Sequence, residues 1–194
     1  MSSEPIMAYA RADGGKGIRN VVAVAYLVEC AHHVARAITV PFEDRPVHLI
    51  GFGGCYPNAY AQGMMEALAT HPNVGAVLLV SLGCEEFNRR RLLEAVQASG
   101  RPVELLVIQK TGGTRATVAA GRAWIEAQLD ALMAVRRVPL VLDELVVGTF
   151  FGGSDGTCGL PANPAIAKAA DLLVDAGARL IFEDLGELFG CEEH

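Results

Sequence analysis

The feature that most restricts the fold is an alternation. Short aliphatic and β-branched runs, apolar on both faces, recur between longer segments with apolar residues every three or four positions. The runs VVAVAYLVEC (21–30), VHLIGFGG (47–54), VGAVLLVSLG (74–83), PVELLVIQK (102–110), PLVLDELVVGTF (139–150) and ARLIFED (178–184) predict strands. Between them AHHVARAI, NAYAQGMMEALATH, EEFNRRRLLEAVQASG, TRATVAAGRAWIEAQLDALMAVRR and NPAIAKAADLLVDAG predict helices. Pro164 behind Asn163 fits the first helical position after an Asn cap. Gly100 and Gly177 fit helix ends. Repeated β-α units of this size predict an α/β fold: a mostly parallel, Rossmann-like sheet of about six strands with helices on both faces. The 194 residues contain no Pro/Ser-rich linker and no repeat, so 1–194 is read as a single domain.

A parallel sheet of this kind binds ligands beyond the carboxyl ends of its strands. Those ends carry Cys30, then Gly53-Gly54-Cys55, then Gly83-Cys84-Glu85. Gln109-Lys110-Thr111-Gly112-Gly113-Thr114 follows, then TFFGGSDGTCGLPANP (149–164), and last Glu183-Asp184. The opposite edge receives plain connectors such as EDRP, HPN and SGRP. The expectation is one shared site at the glycine-, thiol- and acid-bearing edge.

Charge and composition exclude several classes. Net charge is -6, and the short run Arg89-Arg90-Arg91 reads as a solvated helix face. Neither a nucleic-acid groove nor a surface for anionic lipid is supported. The longest apolar runs are too short to span a bilayer. The N-terminus lacks the basic-then-apolar layout of a signal peptide. Five cysteines, an odd number without close pairs, read as reduced thiols in a cytoplasmic protein.

The candidate constellations each admit two readings. Gly112-Gly113-Thr114 opens a helix, so its backbone N–H groups either receive an anion, a carboxylate being the modest guess, or simply form a tight turn. The phosphate-loop and dinucleotide spacings are absent from it. Gly152-Gly153-Ser154-Asp155 lets backbone approach a ligand, with Asp155 as general base or hard-metal ligand; the other reading is a self-satisfied Asx or Ser turn. Cys30, Cys55 and Cys84 are singly small buried hydrophobes. Brought together, they hold zinc, iron or part of an iron–sulfur cluster. Glu183 and Glu187 either line the site or are solvated acids at a helix start. None of the five histidines sits where a base should, so a Ser-His-Asp hydrolase is poorly supported.

The segments RADGGKGIRN, HPNVGAVLLVSLGCE, IQKTGGTRATVAAG, ELVVGTFFGGSDGTCGLPANPA and FEDLGELFGCEEH resemble, in this order and over nearly the whole chain, the altronate/galactarate dehydratase family. The large subunit of sulfolactate sulfo-lyase is similar too. The resemblance implies metal-dependent β-elimination, usually with iron, on a small hydroxy acid such as a sugar acid. A base takes the proton beside the carboxylate, and N–H donors or cations hold the growing charge. On this reading Asp155, Ser154 and Glu183 are catalytic. Arg19, Asn20, Gln109, Gly112, Gly113, Thr114, Gly152, Gly153 and Asn163 bind substrate. Cys30, Cys55 and Cys84 match family cysteines and hold iron, as Fe2+ or a cluster, or another divalent metal.

The chain also departs from the family pattern. Phe150 and Phe151 replace a Glu/Gln-Cys pair before Gly-Gly-Ser-Asp, and Gly51 stands where a histidine is usual. Cys158 stands where the family commonly has Ser. Losing a thiol and an imidazole weakens the expected metal site. Family enzymes carry a small β-rich N-terminal domain or pair with such a subunit, so the chain is expected to be a domain or minimal form of a larger dehydratase. It is also expected to self-associate. A non-catalytic relative that binds a small carboxylate, or serves as a scaffold, is the alternative.

Overall fold

The computed structural model describes residues 5–150 and 157–183. The chain groups into two compact units, Met7–Val138 and a second made of Met1–Ile6 with Pro139–His194.

The larger unit is built on a four-stranded parallel sheet of β3 (Val21–Tyr26), β4 (Val47–Gly51), β5 (Val74–Ser81) and β6 (Val103–Val107). Its order is β4-β3-β5-β6, with Ala23 opposite His48 and Val77, and Leu79 opposite Leu105. All eight residues of β5 are buried, as an inner strand covered on both faces requires. Alternate residues feed two cores. Val22, Val24, Ala76, Leu78 and Val80 pack against α1 (Glu29–Thr39) and α5 (Thr114–Met133). Ala23, Ala25, Val77 and Leu79 pack against α2 (Ala59–Ala69) and α3 (Arg89–Ala98). Each fully buried Val or Leu contributes roughly 1.5–3 kcal/mol. The short helix α4 (Ile108–Thr111) joins β6 to α5.

A hairpin precedes the sheet. β1 (Ile6–Ala10) pairs antiparallel with β2 (Lys16–Gly17), Tyr9 opposite Gly17. Arg11 fastens it, donating from Nε to the Pro72 carbonyl at 2.7 Å and from Nη1 to Asn20 Oδ1 at 2.9 Å. Buried Arg101 donates to Asp13 Oδ2 at 2.7 Å and to the Val74 carbonyl at 3.0 Å. These partners precede β3, β5 and β6, so the hairpin clasps the amino edge of the sheet.

The strand β7 (Val138–Leu140) falls where the chain passes between units. In the smaller unit β8 (Val146–Thr149) and β9 (Arg179–Phe182) form a parallel pair of their own around α6 (Asn163–Asp175). The main sheet therefore has four strands and not six: the predicted run 139–150 divides into the end of β7 and β8, and β8 pairs with β9 in a separate sheet. A wide π-type turn, Cys158–Ala162, leads into α6, so Asn163 is already helical and does not cap it.

Candidate functional site

The strand order places a divergence at the carboxyl edge. β3 runs into α1 on one face, whereas its neighbour β5 runs into α3 on the other. Such a divergence opens a crevice between the two strand ends. Leu27 N–H still donates to the Val80 carbonyl at 3.0 Å, so the crevice opens just past that bond.

On the β3 side, α1 begins earlier than the apolar run suggested, and Cys30 is its second residue and not a strand end. Glu29 occupies the first turn, where a carboxylate complements the helix dipole. One oxygen lies 3.2 Å from His32 Nδ1, and the other lies 3.5 Å from where a Cβ on Gly53 would be. The His32 ring meets Tyr26 at 4.8 Å between centroids. With Nδ1–H turned to Glu29, Nε2 keeps its lone pair and can accept a proton. The sequence reading missed this pair, because its i, i+3 spacing has meaning only once the helix is known to begin at Glu29.

The loops after β4 and β5 are joined: Glu86 N–H donates to the Cys55 carbonyl at 3.2 Å. Cys30, Cys55 and Cys84 are all exposed, which rules out the buried-hydrophobe reading for each. The Gln109 N–H donates to the Leu82 carbonyl at 3.2 Å, and its side-chain oxygen lies 2.7 Å from where a Gly83 Cβ would project. Gly83 has φ +125°, so glycine is required there on both counts. Gln109 belongs to α4, not to the strand predicted through 110. Gly112 and Gly113 both have positive φ and deliver the chain to Thr114 at the start of α5. That helix has neither a side-chain cap nor an acid in its first turn, so its leading amides face outward.

Glu85 is the buried organiser of the β5 loop. Its side chain is fully buried, accepts from the Ser81 hydroxyl and from the Gly83 N–H at 2.7 Å, and lies 3.7 Å from Arg89 Nη1. Arg89 also donates to Ser81 Oγ at 3.3 Å. Burial pushes the carboxyl upward, but the bonds from Ser81 and Gly83 with the Arg89 charge outweigh it, leaving Glu85 below its ordinary value. Glu85 itself lines an open depression of about 420 Å³, together with Gly83, Cys84, Phe87, Asn88, Arg89 and Arg90.

Not every expected residue joins this edge. Arg19 and Asn20 precede β3 and lie at the opposite, amino edge. There Asn20 accepts from Arg11 and donates to the Leu132 carbonyl at 3.0 Å, while Arg19 N–H donates to Asn73 Oδ1 at 3.1 Å. Their contacts make them part of the hairpin clasp, because a residue before a parallel strand leaves the sheet at its other end. Asn163 and Glu183 belong to the smaller unit. Glu183 N–H donates to the Thr149 carbonyl at 3.2 Å, extending the β8–β9 ladder. Gly152, Gly153, Ser154 and Asp155 lie outside the described residues, as do Phe151 and Glu187. The run Gly152–Gly156 also has the G-x-S-x-G spacing of a hydrolase nucleophile turn.

For the expected metal, no three His, Cys, Asp or Glu side chains come together to hold an ion among the described residues. Cys30, Cys55 and Cys84 thus make no three-thiolate site by themselves. At Gly51 an added Cβ would fall 2.2 Å from the Tyr26 ring, so no larger side chain fits there without moving it. Tyr26 fills the place where the family resemblance calls for an imidazole.

Residues 8–133 match the family described as "D-galactarate dehydratase/Altronate hydrolase, second domain", and residues 142–194 match "D-galactarate/Altronate dehydratase, C-terminal". The chain belongs to the galactarate/altronate dehydratase family. It is 27% identical over 202 residues to altronate dehydratase of Escherichia coli K12, covering 97% of this chain and 40% of that protein. Against altronate dehydratase of Bacillus subtilis 168 the identity is 30% over 200 residues, covering 95% and 39%. Against (2R)-sulfolactate sulfo-lyase subunit beta of Chromohalobacter salexigens it is 28% over 197 residues, covering 99% and 49%. The chain spans 39% to 49% of the length of these relatives. Among the described residues no helix is long and apolar enough to cross a membrane.

Proposed function

We propose that this galactarate/altronate dehydratase-family domain acts in β-elimination on a small hydroxylated carboxylic acid, at the carboxyl edge of the β4-β3-β5-β6 sheet. The observation that carries the reading is the tying of successive loops at that edge, Cys55 to Glu86 and Gln109 to Leu82, beside the Glu29–His32 pair. On this reading four loops contribute a proton acceptor, thiols, an amide side chain and N–H groups to one site. In such a reaction His32, oriented by Glu29, takes or returns a proton through Nε2. The leading amides of α5, from Thr114 and Arg115, hold the negative charge that builds on the carboxylate as the adjacent C–H bond breaks, whereas the Gly113 N–H is already given to the Ile108 carbonyl at 2.9 Å. Asp155 is the proton acceptor that the sequence motif favours.

The test is conversion of a panel of sugar acids to 2-keto-3-deoxy products by the anaerobically purified chain, with and without a small β-rich partner domain, alongside metal analysis. Product that falls at least 100-fold in His32→Gln and in Asp155→Ala supports the reading. No product from any acid under either condition overturns it. A second reading, a relative that binds acids without transforming them, is favoured by the Tyr26 ring beneath Gly51. Acid binding without turnover or bound metal would establish it.

A further inference from the structure

We infer that Arg89 and Arg90, at the junction of β5 and α3, form an anion subsite that takes the carboxylate or similar oxyanion group of a small acid. The inference rests on reading the carboxyl edge as the site, and it moves the anchor for the acid away from Arg19, which lies at the other edge. The depression is shallow and open to solvent, with the Glu85 carboxylate in its lining beside the arginines. Both arginines stand in its wall, and buried Phe87 closes one side.

The charge pattern of α3 makes the case independently. Its first turn carries three arginines and no acid, at the helix end where cations are disfavoured. Arg91 is discharged elsewhere, its Nε lying 2.7 Å from Glu66 Oε1. Arg90 has only an exposed contact to Glu94 at 3.4 Å, a kind of pair worth little in water and readily exchanged for a ligand. Among the described residues Arg89 engages Ser81 and Glu85 through Nη1, so its other guanidinium N–H groups remain for a further acceptor. Glu85 does not oppose an incoming anion freely, because its oxygens are held by Ser81, Gly83 and Arg89. An oxyanion in the depression takes the place of Glu94 on Arg90 and gains charge-assisted hydrogen bonds from the planar guanidinium groups.

The experiment titrates the full chain at low salt with tartrate, with inorganic sulfate and with the neutral polyol erythritol, by calorimetry. Tartrate is expected to bind more tightly than sulfate, and erythritol not to bind. Arg90→Gln, at a side chain 85% exposed, is expected to weaken tartrate about tenfold with an unchanged melting temperature, and Arg90→Lys to recover part of the loss. Absence of tartrate binding, affinity unaltered in Arg90→Gln, or erythritol binding as well as tartrate overturns the inference. Sulfate binding as tightly as tartrate overturns the assignment to an organic acid. The two proposals fail separately. Arg90-dependent binding without elimination defeats the lyase reading alone, and turnover whose KM ignores Arg90→Gln defeats the subsite alone.

Discussion

Glu85 shows how one buried carboxylate can set the shape of a functional loop. It gathers a hydroxyl, a backbone N–H and a guanidinium from three points of the β5–α3 connection. Glu85→Gln leaves Arg89 without its counter-charge and turns an amide N–H toward donors. The expected cost is about 2 kcal/mol in urea unfolding. Because the folded carboxyl lies below its ordinary 4.5, its contribution is complete above that value and is lost as pH falls through the lowered one. The acid limb of the stability profile should therefore flatten in Glu85→Gln. Gly51 gives a second test at this scale. Gly51→His drives a side chain into the Tyr26 ring and should cost about 2 kcal/mol or more. Adding Tyr26→Ala should make the double variant less destabilised than the sum of the two single changes, as a thermal-unfolding cycle would reveal.

Among the elements, the β1–β2 hairpin matters through its side chains more than through its two-residue ladder. Asp13→Asn removes the charged partner of Arg101, which is itself only 2% exposed, and should cost about 1–2 kcal/mol in urea unfolding. His71 adds a pH effect to the same clasp. Cover over part of its ring and the nearby Arg101 charge hold the imidazole below its ordinary 6.5, and Nδ1 accepts from the Asn73 N–H at 3.1 Å. The unfolded chain therefore binds the proton more readily. Stability should fall as pH drops below about 6.5 and level off below the depressed value, and His71→Asn should remove that slope. The ring is exposed, so the slope is small. The alternation of strands and helices was legible because buried parallel strands and amphipathic helices have different periods. Strand ends were overrun by two to four residues where apolarity continues into the next turn, as at Leu27-Val28 and Ile108. The hairpin was invisible, since its fastening depends on arginines meeting carbonyls and a carboxylate 30 to 88 positions away, which no local pattern records.

At the scale of the whole molecule, the sequence set glycines and thiols after successive strands, and Cys55, Cys84, Gln109 and the Gly112–Thr114 turn do follow the carboxyl ends of β4, β5 and β6. It could not reveal that β8 and β9 pair with each other, because apolar content says how buried a strand is but not which neighbour it takes. Nor could it separate Arg19 and Asn20 from the site, since a motif read along the chain does not say at which end of a strand it lies. The separation has a measurable result. Parallel strands of five to eight residues hold the two edges roughly 17–25 Å apart, beyond the range in which substitutions interact. Asp13→Asn and Arg90→Gln should therefore be additive within about 0.5 kcal/mol in urea, with tartrate affinity set by Arg90 alone. An arrangement of this kind divides labour along the strand axis: residues at one end can drift to suit a new acid while the latch at the other keeps the chain folded, so that specificity evolves without first spending the stability on which it stands.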